Sequence, residues 1–142
     1  MIRAPLSVVS PKRACLSAAA LWLAVLGAPS LAWASHLETT LAQRLLVERL
    51  QRGEAPLLVD VRTPGEYQSG HVPGAVNIPL QELQRRLEEL RPYRNTELVL
   101  YCETGVRAGH AGRFLEQQGF TELRALQGHM SAWRSAGLPA ER

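Results

Sequence analysis

Apolar positions along this chain recur at two spacings, and the spacings divide it into elements. In "TTLAQRLLVERLQRG" (39–53), Leu41, Leu45, Leu46 and Leu50 share one helical face, with a Thr at the start and Gly53 at the end, which predicts a capped helix. "PLLVDVR" (56–62) is a short continuous apolar run ending in charges, the pattern of a strand covered on both faces. "GAVNIP" (74–79) reads as a second short strand between Gly74 and Pro79. In "LQELQRRLEEL" (80–90), Leu80, Leu83, Leu87 and Leu90 predict a helix that Pro92 stops, with Arg85, Arg86, Glu88 and Glu89 on its solvated face. "ELVLYC" (97–102) is a third buried strand. Ala108, Ala111, Phe114 and Leu115 then stripe a helix that Gly119 ends. "ELRAL" (122–126) makes a fourth strand and "MSAWRSAG" (130–137) a last short helix, with Met130 and Trp133 as core contacts.

Strands alternating with helices over short connections predict an α/β fold: a mostly parallel sheet of four or five strands with helices on both faces. No repeat, low-complexity tract or linker divides it. Sites in such sheets lie beyond the carboxyl ends of the strands. Cys102 stands at that end of the third strand, so the pattern alone moves it from core toward site.

Residues 1–34 are patterned differently. Arg3, Lys12 and Arg13 precede an apolar stretch free of charge until Glu38, Pro29 interrupts it, and Ala32 and Ala34 supply an A-x-A site. This is the order of a secretory signal peptide, and cleavage is expected after Ala34, leaving one domain over 35–142. The alternative is an uncleaved membrane anchor, because the apolar run is nearly long enough to span a bilayer. Export to a bacterial periplasm is the expected destination, with no stable membrane association after cleavage.

Charge and cysteine count change the picture in two ways. The leader carries three of the 16 basic residues and none of the 13 acidic ones, so the remainder is formally neutral and nucleic acid is not an expected partner. Lys12 is the only lysine, so fixed anion contacts must come from arginine or backbone amides. Cys15 leaves with the leader, and Cys102 then has no partner for an internal disulfide. A lone thiol in an oxidising compartment is either a buried small hydrophobe or is kept for its chemistry.

The residues after Cys102 favour chemistry. Glu103, Thr104, Gly105, Val106 and Arg107 connect a strand end to a helix start, which aims backbone N–H groups and a positive helix end at the sulfur. Gly105 lets the loop curl. Arg107 is expected to fork onto two oxygens of an anion. Glu103 is expected to oppose thiolate formation and to repel an anionic donor.

Three segments in order, "LLVDVRTPGEYQSGHVPGAVNIP", "LVLYCETGVRA" and "GFTELRALQGHMSAWRSAGLP", resemble the rhodanese family of sulfurtransferases over nearly the whole of 35–142. The resemblance implies a rhodanese-like three-layer sandwich without metal or cofactor. It implies a Cys102 persulfide that takes the outer sulfur of a donor such as thiosulfate and passes it to cyanide, a small thiol or a protein thiol. The amides of 103–107 and Arg107 would cradle the anion, while Asp60, Arg62 and His71 would support the loops. Four residues separate Cys102 from Arg107, where the related cell-cycle phosphatases have five. His129 stands where the family has a second glycine, His110 reads as a surface residue, and the four histidines match no metal-ligand spacing. Two other readings stay open: an oxyanion reductase or phosphatase using the same Cys and Arg, and a binding module whose cysteine turns nothing over.

Overall fold

The computed structural model describes residues 40–142, so the expected leader and its cleavage point lie outside the described residues. Five strands form one sheet in the order β1-β5-β4-β2-β3: β1 (Thr40–Leu41), β2 (Leu57–Asp60), β3 (Val76–Asn77), β4 (Leu98–Tyr101) and β5 (Leu123–Leu126). Every pairing is parallel. The helices are α1 (Gln43–Arg52), α2 (Pro64–Gln68), α3 (Leu87–Leu90), α4 (Val106–Gln117) and α5 (His129–Ser135).

Alternation along β4 sorts the core into two layers. Leu98, Leu100 and Cys102 pack with Val59, Leu90, Ala108, Ala111 and Leu115 on the face of α3 and α4. Val99 and Tyr101 pack with Leu46, Leu58, Leu126, Met130 and Trp133 on the face of α1 and α5. A period of two along a strand buried on both faces thus points the Cys102 side chain toward the start of α4. The register sets Asp60 of β2 beside Tyr101 of β4, so the residues that follow those two strands emerge together.

Three sequence expectations need correction. Thr40 and Leu41 do not open the first helix; they pair with Ala125 and Leu126 as an edge strand, and Leu41 is buried there. Helix α1 then starts after Ala42 and ends on Gly53 at φ 70°, with Leu45 exposed. The helix expected over 80–90 is broken into a 3-10 turn (Leu80–Glu82) and the single turn of α3, because the leucines are drawn one by one onto the sheet. Arg86 is not simply solvated, since it donates to the Asn77 carbonyl at 3.0 Å. Helix α2, absent from the sequence reading, is set by a capping box: the Thr63 hydroxyl accepts from the Glu66 amide, and the Glu66 carboxylate accepts from the Thr63 amide.

Candidate functional site

Cys102 follows the last residue of β4 and is 1% exposed. Its sulfur accepts the Gly105 N–H at 3.1 Å, so the thiol sits in an apolar layer with one amide aimed at it. Gly105 reaches that position at φ 111°, a conformation L side chains rarely adopt. Of the expected cradle over 103–107, only the Gly105 amide meets the sulfur among the described residues. Helix α4 begins at Val106, so Arg107 belongs to its first turn rather than to the loop. The amides of Val106 and Arg107 are orphan donors of the helix start, directed at the same end of the sheet. Val106 is well exposed beside them, and Thr104 is exposed too.

The Arg107 guanidinium does fork onto two oxygens, and they belong to Glu66: Nη1 donates to Oε2 and Nη2 to Oε1, each at 2.7 Å. This pair holds the Glu66 carboxyl well below the usual carboxylate range, and it raises Arg107, with a lesser contribution from the neighbouring Cys102 sulfur. Glu66 is therefore a site residue that pattern reasoning passed over. Its signal was the T-x-x-E spacing of the α2 cap, which reads as a local device and says nothing about a partner 41 residues away.

Glu103 corrects a second expectation. Its carboxylate does not face the thiol as an unopposed charge. It accepts from both terminal nitrogens of Arg134 and lies 3.7 Å from Arg62. The cause is the docking of α5, whose first amides bind the active loop: Met130 N donates to the Cys102 carbonyl at 3.0 Å and Ser131 N to that of Glu103 at 3.1 Å. Arg134, one turn on, is carried alongside.

Asp60 and Arg62 form a fully buried pair at the ends of the strands. Arg62 Nη2 donates to Asp60 Oδ2 at 2.6 Å and to the Gly70 carbonyl at 2.8 Å, and its backbone amide donates to Asp60 Oδ1 at 2.9 Å. Burial lowers the Arg62 pKa, but the Asp60 hydrogen bonds and charge outweigh it and the net shift is upward. Asn77 Nδ2 bridges the carbonyls of Asp60 and Arg62 at 2.9 Å each. His71 is stacked on Tyr67 with ring centroids 3.6 Å apart and is paired through its backbone with Glu141. His110 is exposed and meets Arg113.

His129 is the second residue the sequence reading did not place. It has φ 52°, which explains why a glycine suits this position, and its ring is half-buried against the loop. Nδ1 accepts a long hydrogen bond from the Cys102 amide at 3.5 Å. A Cβ on Gly105 would stand 2.7 Å from His129 Nε2. Gly105→Ala should therefore lower stability by about 1–3 kcal/mol and move the amide off the sulfur. Thermal melting checks the loss.

Burial lowers the His129 pKa below its ordinary 6.5. The folded state then binds fewer protons than the unfolded chain between the two pKa values. Stability is full above pH 6.5 and falls as the pH drops through the folded value. The denaturation midpoint should decline below pH 6.5 more steeply for the wild type than for His129→Asn, whose side chain tolerates the left-handed backbone. A groove of about 290 Å³ opens beside this ring, walled by Gly105, Ala108, Gly109 and Leu123.

Residues 42–136 match the family described as rhodanese-like domain. A protein of Allochromatium vinosum named sulfurtransferase is 37% identical over 94 residues, which are 66% of this chain and 86% of that protein. An HTH-type transcriptional regulator of Mycobacterium tuberculosis, Rv0324, is 41% identical over 119 residues, 82% of this chain but only 47% of the regulator. Among solved structures, the human single-domain sulfurtransferase TSTD1 superposes with a TM-score of 0.58 at 29% identity, over 68% of this chain and 96% of that one. With five parallel strands between two helical layers, a strand-end cysteine looped into α4, and a match over residues 42–136, the chain belongs to the rhodanese-like domain family.

Proposed function

We propose that this protein is a sulfurtransferase in which Cys102 carries the sulfur as a persulfide. The observation that carries the reading is the Cys102 sulfur at the carboxyl end of β4, met by the Gly105 amide and neighboured by Arg107, in a chain 37% identical to a sulfurtransferase. The thiolate attacks the outer sulfur of a donor such as thiosulfate; the S–S bond of the donor breaks, sulfite leaves with the bonding pair, and the cysteine persulfide anion remains. An acceptor then attacks the terminal sulfur. Cyanide leaves as thiocyanate and a small or protein thiolate leaves as its own persulfide, and in both cases Cys102 is regenerated as thiolate. The Gly105 amide, with the free amides of Val106 and Arg107, would hold the negative terminal sulfur. Because Cys102 is 1% exposed, the loop must shift before a donor can reach it.

The leader pattern of residues 1–34 supports an exported, periplasmic setting for this activity, where a free thiol is retained for its reactivity. The deciding experiment mixes the purified protein with thiosulfate and follows intact mass and released sulfite. One added sulfur per chain, located on Cys102, is expected. No adduct and no sulfite from thiosulfate, together with no adduct from glutathione persulfide, would overturn the reading.

A further inference from the structure

Arg107 is a cation close enough to the reactive sulfur to feel its charge, yet both of its terminal nitrogens are already committed. They meet the two oxygens of one carboxylate at 2.7 Å, in the bidentate arrangement a guanidinium would otherwise offer to a sulfonate or sulfate-like group. Glu66 is not there by chance of a flexible side chain. Its Oε2 also accepts from the Thr63 amide at 2.9 Å and the Thr63 hydroxyl at 2.8 Å, so the α2 cap holds the carboxylate in place. Two other cations of the loop's surroundings are committed as well: Arg62 is bound to Asp60, and Arg134 to Glu103.

We infer, resting on the sulfur-transfer reading above, that Glu66 sets donor choice by occupying the anion-binding edge of Arg107. This pairing favours one class of donor: persulfides and polysulfides, which offer a terminal sulfane sulfur without an oxyanion leaving group. A donor such as thiosulfate must exchange one charge-assisted bidentate contact for another and gains little from Arg107. It also brings a dianion to within reach of a fixed carboxylate. A persulfide R–S–S⁻ needs no such exchange: Cys102 thiolate takes its terminal sulfur, the S–S bond of the donor breaks with its electron pair on the sulfur bonded to R, and RS⁻ leaves. Charge and atoms balance in this step with no oxidant or reductant. Glu66 acts through Arg107 and is thus a positioning residue.

The test compares thiosulfate with glutathione persulfide as donors, using cyanide as acceptor, in the wild type and in Glu66→Gln. Glutamine keeps the capping box, since its amide oxygen still accepts from Thr63, so the fold is expected to survive. The wild type should prefer the persulfide in kcat/KM. In Glu66→Gln the preference should shift toward thiosulfate by about ten-fold, chiefly as a lower KM for thiosulfate. Glu66→Asp, too short to keep both contacts, should move in the same direction and serves if the glutamine variant unfolds. An unchanged ratio, or a thiosulfate KM that rises in both variants, would overturn the assignment. If the wild type accepts sulfur from neither donor, the sulfur-transfer reading itself fails, and the two failures are distinguishable.

Discussion

Cys102→Ser is expected to lower sulfur transfer by at least on the order of 10³, to the uncatalysed background. The hydroxyl has no low-energy way to carry a sulfane sulfur, and at neutral pH it is not ionised. The fold should persist. The serine oxygen can still accept the Gly105 N–H that now meets the sulfur at 3.1 Å, and burying the hydroxyl in this apolar layer costs about 1–2 kcal/mol. Sulfite release, thiocyanate formation and intact mass after exposure to donor measure the loss, with a thermal melt to show that the variant is folded. Turnover retained in the serine variant would remove Cys102 from the chemistry. A full biological effect without turnover would favour a module that binds a partner through the same cleft.

Arg62→Met is expected to produce the largest change in stability, about 3–5 kcal/mol, because it leaves the Asp60 carboxylate buried without its counter-ion. Two connections of the loop that leads to the site go with it. Arg62 Nη2 no longer holds the Gly70 carbonyl, and Glu103 loses one of the two guanidinium groups that oppose its charge. For a domain of this size the melting temperature should fall by roughly 15–30 °C. The paired change Asp60→Leu with Arg62→Met should recover much of that loss, because it removes the stranded charge as well as its partner. Urea unfolding of the single and double variants tests this. A single variant within about 0.5 kcal/mol of the wild type would mean that water reaches Asp60.

The parts of the fold that periodicity made legible were those whose burial is uniform along an element. β2 and β4 are apolar on both faces, so they appear in the sequence as continuous runs, and the stripe Ala108, Ala111, Leu115 marked α4. Shorter pieces were lost because their conformation is not set by their own residues. Thr40 and Leu41 become a strand only because β5 offers them an open edge. The leucines at 80, 83, 87 and 90 have helical spacing, yet the sheet beneath them is reached equally well by a broken chain of turns. Propensity loses to packing in both places.

The site divides along a similar line. That Cys102 belongs to a strand end and that Gly105 bends the loop are local facts, fixed by alternation and by a glycine. The charges around the thiol are not local. Glu66, 41 residues from Arg107, takes the arginine's fork, and Arg134, 31 residues from Glu103, neutralises the carboxylate that seemed to oppose the thiol. An ion pair has no periodicity and leaves no trace in the spacing of its members. So the order of residues determined the reactive atom and the turn that presents it, while only the folded chain, by docking α2 and α5 against one loop, decided which charges that atom meets.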